Sequence, residues 1–498
     1  MSLGWCKRGL AVFLLGCSAR FVPAQGFGPN PQQDQDSSQS QPVAQTDQSG
    51  QSDTPATQGQ ADDSATYDAR RDSRAPVPLP LNIDAGSLKF ADGQEQQNYL
   101  FGGIGASATY DDNLLSQSAL RIGGFSYSVF PTVGVDISRR RLALNMDYEG
   151  GYTFNQRFSA YNQSEHNADF DLRYRVSPHV NLRLHNHFLL TTGFLDQLSG
   201  GLSGIGAGTG IIQQPNLGVI TPIAPHTFDL GSVELTYQYS ASDMVGGSGN
   251  VYISSFGTPP TGAQNLVDSR SEGGNAFYTH RFTPRNWSGI AYSFQRLTFD
   301  PIMEDVNTHD ILLFHTIYLN QHTALAFFAG PEYSQLDSVI VTTHVAIPLV
   351  TVTSTTDTQD RWGVAGGASL SWQGKHTSVS AGGSRKVSDG GGLLTAADVT
   401  SGTGAVRRQI SRNSTIELDV IYTGSHALGN GGTTFFSNSK AAWGNFLWEQ
   451  HISKNLMCTL GYARDYLQQS GTALPTLGVN HNRGWVSVVY RFSRPLGR

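Results

Sequence analysis

The stretch "RLALNMDYEGGYTFN", residues 141–155, alternates between two kinds of side chain. Its even-numbered positions carry mainly leucine, methionine, tyrosine and phenylalanine, whereas its odd-numbered positions carry mainly asparagine, aspartate, glutamate and threonine. Because successive side chains of a strand point to opposite faces, this alternation predicts a β-strand with one apolar face and one polar face. At about 3.3 Å per residue the stretch would extend roughly 45 Å, which is much longer than an average strand of a soluble domain. Such a strand is expected to separate two unlike environments.

The same alternation recurs along the chain, for example in residues 165–176 and 180–190. The polar connections between the predicted strands alternate in length, with eight short turns and nine longer loops rich in glycine, serine, threonine and asparagine. The longer loops include residues 191–226, 335–359 and 388–398. Seventeen connections predict about eighteen strands, within a range of about sixteen to twenty because two strands have ambiguous patterns.

The bulk composition excludes several protein classes. Only 14% of the 498 residues are charged, the mean hydropathy is −0.27, and the net charge of −6 offers no electrostatic footprint for nucleic acid. Apart from the N-terminus, no apolar run approaches the roughly 18 to 20 residues of a membrane helix. Cys6 and Cys17 lie near the N-terminus and Cys458 lies in a predicted strand, which excludes a disulfide framework.

The N-terminal region reads as an export signal followed by a tether. Residues 1–24 combine Lys7 and Arg8 with an apolar run and a small-residue cleavage site, which predicts cleavage after Ala24. Lipidation at Cys17 is the alternative. Residues 25–98 are rich in Gln, Ser, Asp and Pro and are predicted to be a disordered periplasmic segment, because they cannot bury enough apolar surface to offset chain entropy. A recognition arm that contacts peptidoglycan is the second interpretation of this segment.

Residues 99–498 are predicted to form an all-β, transmembrane, antiparallel up-and-down β-barrel. If both chain ends lie on the short-turn side, the strand number must be even and the long loops must exceed the short turns by one, as counted. A bilayer provides no water to satisfy open sheet edges, so a spanning sheet must close on itself. A secreted β-sandwich or β-solenoid is the competing interpretation, but neither explains the regular alternation of connection length.

Several segments resemble the β-barrel porin families of Gram-negative outer membranes, some of which are similar to barrels encoded near exopolysaccharide export systems. The resemblance is carried by "ASATYDDNLL", "RRQISRNSTIELDVIY", "YRVSPHVNLRL", "EQHISKNLMCTLGY" and the ending "GWVSVVYRFSRPLGR". It implies an integral outer-membrane protein whose partners are outer-membrane lipid and the barrel-assembly machinery. It also implies an assembly signal near the C-terminus, which Tyr490 and Phe492 match, although Ser487 replaces a common glycine and six residues follow Phe492.

The predicted function is a porin-like channel for small hydrophilic solutes. The alternative is a non-conducting structural or interaction barrel that serves polysaccharide export or surface attachment, with polysaccharide-export proteins or peptidoglycan as partners. The polar strand faces supply the predicted lumen-lining residues, which are Asp147, Glu149, Asp169, Asp171, Arg173, Arg175 and Arg183. Opposed acids and bases on neighbouring strands would set up a transverse field in a water-filled lumen, whereas ordinary lumen polarity is the simpler interpretation.

Other chemistry has weaker support in the sequence. His185 and His187, with His179 nearby, have the spacing of half a metal site, but solvated lumen histidines explain them better. The cluster at residues 111–113 suggests calcium, but turn chemistry explains it equally well. No nucleophile elbow, P-loop or zinc-protease motif is present, so no enzyme, metal or cofactor is expected. The alternative is an outer-membrane lipase or protease whose catalytic group is dispersed across several strands. The apolar residues within the loop at residues 191–226 predict an inward constriction, with external adhesion or contact with a neighbouring protomer as the competitor.

Overall fold

The computed structural model describes residues 98–115, 121–159, 162–191, 224–257, 266–301, 304–346, 349–429, 437–471 and 477–496. The predicted signal peptide and nearly all of the predicted periplasmic segment lie outside these residues.

The described residues form eighteen strands in a single sheet. In chain order they are β1 (Asn98–Asp111), β2 (Gly124–Arg139), β3 (Leu142–Asn155), β4 (Gln163–Arg175), β5 (Val180–Thr191), β6 (His226–Gln238), β7 (Asp243–Phe256), β8 (Asp268–Thr283), β9 (Asn286–Asp300), β10 (Glu304–Tyr318), β11 (Thr323–Ala346), β12 (Leu349–Gln373), β13 (Thr377–Gly390), β14 (Leu394–Ser411), β15 (Ser414–Ala427), β16 (Asn438–His451), β17 (Leu456–Ser470) and β18 (Leu477–Pro495).

The sheet closes into an antiparallel up-and-down barrel. Each strand pairs with the next along the chain, and β1 pairs with both β2 and β18. The β1–β18 seam runs from the Tyr99–Pro495 pair to the Asp111–Arg483 pair. Both ends of the barrel chain therefore lie at the end that carries the eight short turns, called here the short-turn end; the opposite end is the long-loop end. Among the described residues, no helix is long and apolar enough to cross a membrane.

The predicted fold and strand count are confirmed, but two predicted loops are wrong. The alternation of connection length is kept only in part, because the β9–β10, β11–β12 and β13–β14 connections are as short as the turns. Strand β11 continues to Ala346 and β12 resumes at Leu349, so most of residues 335–359 is strand. Likewise, residues 388–398 are mostly strand, because β13 continues to Gly390 and β14 begins at Leu394. In the β11–β12 ribbon the glycine, serine and threonine content does not indicate a loop, because a paired ribbon that extends past its neighbouring strands no longer needs an apolar face.

The outer surface of the barrel carries an apolar belt bounded by aromatic side chains. On β3 the outward positions include Met146, Tyr148 and Phe154, which are exposed. On β12 Trp362 and Trp372 both point outward, ten residues apart. Ten residues extend about 33 Å along a strand, or about 25 Å along the barrel axis at a tilt of about 40°, which is the height of the apolar band of outer-membrane barrels.

The aromatic rim near the long-loop end is continuous across four strands. The rings of Tyr292 and His309 lie 6.1 Å apart, those of His309 and Tyr333 lie 6.2 Å apart, and those of Tyr333 and Trp362 lie 5.1 Å apart. Beyond this rim, outward side chains are charged; for example, Arg296 and Asp305 form an ion pair at 2.8 Å. Aromatic side chains prefer the membrane–water interface, so the strands extend past the belt into water. This accounts for the length of the strands.

Of the two strands with ambiguous patterns, β10 is apolar over part of both faces because its inner face also packs against apolar side chains, whereas β9 keeps its alternation through Gln295, which is buried on the inner face. Ala291, Leu312 and Phe314 point inward and belong to one buried cluster with Met244, Phe277, Phe328 and Ala365. The lumen is therefore not uniformly polar. Its wall along β7–β12 carries a packed apolar cluster, with buried polar side chains such as Thr308 and Asp310 nearby.

Candidate functional site: an inward-folded hairpin in the lumen

The hairpin between β13 and β14 leaves the barrel wall and folds into the lumen. Strand β12 pairs with β11 along its full length but with β13 only over Gly366–Gln373. Strand β13 pairs with β14 throughout, up to Gly390. Residues 386–397, called here the inner hairpin, are buried along their whole length. A wall hairpin would keep one face exposed, so the inner hairpin must lie inside the barrel.

Apolar contacts of the inner hairpin reach wall strands that are not its neighbours in the sheet. Val387 and Ala396 belong to a buried cluster with Leu189, Phe228, Tyr252, Val267, Leu297, Phe299, Val306 and Leu336, which lie on or next to β5 through β11. Leu393 belongs to a second cluster with Ala441, Trp443 and Leu467 of β16 and β17. A hairpin rooted between β12 and β15 touches both sets only by crossing the lumen. It therefore narrows the passage through the barrel.

Polar contacts fix the inner hairpin to the wall. The Val387 N–H donates a hydrogen bond to the Glu332 carboxylate on β11 at 2.9 Å, and the Ser269 hydroxyl on β8 donates to Asp389 at 3.3 Å. Lys386 lies within electrostatic range of both Asp310 and Glu332. A buried ammonium group is tolerated only when paired, so the two inward carboxylates are suited to hold this lysine.

The tip of the inner hairpin requires glycine. Gly391 and Gly392 have φ values of 64° and 83°, in the left-handed region where a Cβ is unfavourable. A Cβ at Gly392 would also lie 2.5 Å from the ring of Phe256 on β7. The Gly392 carbonyl accepts a hydrogen bond from the Val267 N–H at 2.9 Å. The tip is thus seated closely against the wall between β7 and β8.

The predicted lumen residues of β4 and β5 form an ion-pair network on the inner face. The Arg183 guanidinium donates to the Asp171 carboxylate at 3.0 Å, and the Arg173 guanidinium donates to the other oxygen of Asp171 at 3.1 Å. Arg175, at the end of β4, is half-buried and donates its backbone N–H to the carbonyl of Arg141. The structure therefore brings the predicted acids and bases together across neighbouring strands.

The predicted acids of β3 face inward and lie near an arginine that the sequence pattern did not single out. Asp147 and Glu149 line a recess of the inner wall together with Phe101, Thr132, Asn167 and Arg491. Arg491 is within electrostatic range of Asp147, Glu149 and Glu449. Its side chain crosses Gly103 on β1, where a Cβ would lie 3.1 Å from it. Glycine on β1 thus lets an arginine of β18 approach the acids of β3.

The weaker site hypotheses have local structural explanations. His185 and His187 face inward, each 4.0 Å from a carboxylate, Asp171 and Asp169 respectively. Within the described ranges, no group of three or more His, Cys, Asp or Glu side chains is arranged to hold a metal ion.

The cluster at residues 111–113 has the turn role that the sequence suggested. The Asn113 N–H donates to the Asp111 carboxylate at 2.7 Å, and Asp111 also accepts a hydrogen bond from the Arg483 guanidinium at 2.9 Å. Asp112 accepts hydrogen bonds from Asn482 on β18. The cluster therefore joins the first and last strands at the long-loop end of the seam.

Two further predictions stay open. Tyr490 and Phe492 point outward into the apolar belt and are about half exposed, at 49% and 52%, but their role in assembly stays a prediction. The predicted constriction at residues 191–226 falls mostly on residues 192–223, outside the described residues. The described constriction is instead the inner hairpin. The sequence holds one signal for it, since "GGGLL" at residues 390–394 places two leucines in a predicted water-exposed loop.

No protein-family model matches the chain, and no curated protein matches it by sequence. Among solved structures, OccAB4 of Acinetobacter baumannii is 11% identical, with a TM-score of 0.38 over 80% of this chain and 100% of that chain. OpdQ of Pseudomonas aeruginosa is 11% identical, with a TM-score of 0.37 over 80% and 98%. The ferric-catecholate import receptor Fiu of E. coli K12 is 9% identical, with a TM-score of 0.40 over 78% and 81%. TM-scores below 0.5 are too low for a function to be transferred from these proteins to this chain.

Proposed function

We propose that the protein is an integral barrel of a bacterial outer membrane that passes small hydrophilic solutes through a lumen narrowed by the inner hairpin. The proposal rests on one observation: the closed sheet has an apolar outer face and a charged inner face. The outward belt between Trp362 and Trp372 suits lipid, whereas the inward face carries ion pairs such as Asp171–Arg183. Ion pairs of this kind are costly in a dry core but are readily accommodated beside water.

A second candidate function, a non-conducting structural or interaction barrel, is favoured by one specific observation. The inner hairpin contacts the wall on two sides of the lumen, through Val387 on one side and Leu393 on the other. If its seal were complete, the barrel would insert into the membrane but pass no solute. A barrel of this type would act through its loops or through periplasmic partners, including polysaccharide-export proteins or peptidoglycan.

Swelling of proteoliposomes separates the two functions. Vesicles that contain the refolded full-length protein are placed in isotonic solutions of neutral sugars of increasing size, and the rate of swelling is followed by light scattering. The channel function predicts swelling that falls steeply with solute size. Protein that migrates in a heat-modifiable, barrel-like manner and is inserted in the vesicles, but gives no swelling with the smallest sugar, would refute the channel and support the interaction barrel. Vesicles with heat-denatured protein serve as the control.

A further inference from the structure

The apolar contacts of the inner hairpin lie on only part of the described inner wall. The apolar clusters that contain hairpin residues draw their other members from β5–β11 and from β14–β18. Within the described parts of the chain, none of these clusters includes a residue of β1–β4. The inward positions of β1–β4 toward the long-loop end are instead polar, and we call them the polar sector: Ser107, Thr109, Ser126, Ser128, Thr153, Asn155, Glu165 and Asn167.

Three hydroxyl groups of the polar sector stand directly beside one another. In the strand register Ser107 lies opposite Ser128, and Ser128 lies opposite Thr153. The hydroxyl oxygens of Ser128 and Thr153 are 2.7 Å apart. These three side chains retain partial exposure, whereas inward hydroxyl residues on the hairpin side, such as Ser271 at 0% and Thr308 at 1%, are fully buried. Water therefore has access to the polar sector but not to the wall behind the hairpin.

Charge on the same four strands is predominantly negative. Their inward faces carry seven acids, at positions 111, 136, 147, 149, 165, 169 and 171, and two bases, at positions 173 and 175. Arg183, Arg483 and Arg491 on the flanking strands bring the bases to five, which leaves the acids in excess. Anions entering along this wall would meet a repulsive potential, and cations an attractive one.

We propose that solutes pass the inner hairpin off the barrel axis, along the polar sector of β1–β4, and that this wall selects small hydroxylated solutes that carry no negative charge. The inference rests on the proposed channel function and adds the path and the substrate class. Hydroxyl side chains both donate and accept hydrogen bonds, so a row of them can replace part of the hydration shell of a hydroxylated solute. The wall behind the inner hairpin also carries hydroxyl groups, such as those of Ser271 and Thr308, but these are fully buried and do not face water.

Cysteine accessibility tests the path. In a full-length background in which Cys6, Cys17 and Cys458 are replaced by Ala, one variant carries Ser128→Cys and the matched control carries Ser271→Cys. Each is inserted in a planar bilayer and treated with a methanethiosulfonate reagent that carries a trimethylammonium group. We expect the reagent to lower the conductance of the Ser128→Cys channel by about twofold or more, because the added group occupies the narrow path. The Ser271→Cys channel should be unchanged.

The outcomes distinguish the path from the channel function. If the untreated background shows no conductance, the proposed function fails and the inference fails with it. If the background conducts but Ser128→Cys is insensitive while Ser271→Cys is blocked, the path lies behind the displaced hairpin and the inference alone is overturned. Ser107→Cys, at the adjacent register position, replaces Ser128→Cys if the latter does not insert, and it carries the same expectation.

Discussion

Shortening the inner hairpin should enlarge the channel by a predictable amount. Val387 and Asp398 face each other across the β13–β14 ladder, so replacing Ser388–Ala397 with an Asn-Gly turn closes the hairpin at a position where the two strands are already paired. The variant keeps the ion pair between Arg385 and Asp398. It removes both leucines of the tip and the glycines that seat them.

The magnitude follows from the size of the barrel. Eighteen strands, spaced about 4.8 Å apart and tilted by about 40°, form a backbone cylinder about 36 Å in diameter. An inner layer of side chains about 5 Å thick leaves an opening about 26 Å in diameter. A two-stranded hairpin about 10 Å wide that crosses this opening obstructs about half of its area. Removing it should therefore raise single-channel conductance about twofold or more.

The assay is single-channel recording of the wild-type and shortened proteins in the same bilayer and salt. A matched control shortens a different connection at the long-loop end, by deletion of residues 431–435. Heat-modifiable migration verifies that each barrel has folded. An unchanged conductance in a folded, inserted hairpin variant would refute the inner hairpin as the constriction, and an equal increase in the loop control would show that the effect is not specific to it.

Three further predictions concern selectivity, seating and the membrane belt. Replacing Asp147 with Asn and Glu149 with Gln should lower the ratio of cation to anion permeability, measured as the reversal potential in a salt gradient; a rise in this ratio would contradict the inward placement of these acids. Gly392→Ala should strain the hairpin tip by about 1–2 kcal/mol and so produce noisier or larger conductance steps. The control Gly478→Ala should behave like wild type, because no atom lies within 4 Å of the added Cβ. Leu313→Arg, in the middle of the belt, should lower the free energy of unfolding in lipid vesicles by about 2–4 kcal/mol. Asn307→Arg, outward on the same strand but beyond the aromatic rim, should lower it by about 1 kcal/mol or less. Equal costs would refute the placement of the membrane.

The architecture could be predicted because a bilayer imposes strict rules on sequence. The alternation in residues 141–155 reflects two different solvents on the two faces of one strand, and the count of turns follows from the need to close the sheet. These constraints act locally, strand by strand. They hold even where a strand such as β10 is apolar over part of both faces, because the polar turn at residues 320–322 still marks its end.

Apart from the two leucines at residues 393 and 394, the sequence does not indicate the inner hairpin, because its contacts are distant in sequence. Val387 bonds to Glu332, and Gly392 packs against Phe256, more than a hundred residues away. In a linear sequence a glycine-rich stretch reads as an external loop, whether it extends into water or folds inward. The inward apolar residues of β5–β11 pack against the inner hairpin, but this pairing can be identified only in the closed barrel.

The lumen charges were partly predictable. The inward orientation of Asp147 and Asp171 follows from the two-residue period of a strand. The approach of Arg491 depends on closure between β18 and β1 and on the missing side chain at Gly103, so no local pattern contains it.

Single-channel recording of the refolded wild-type protein in a planar bilayer shows directly whether the barrel conducts. A closed barrel with an apolar belt outside, a polar wall inside and a hairpin that only partly fills the lumen predicts discrete, ohmic conductance steps with a preference for cations. Protein that inserts as a folded, heat-modifiable barrel yet gives no steps over a wide range of voltage would contradict the channel. It would show that the inner hairpin seals the lumen.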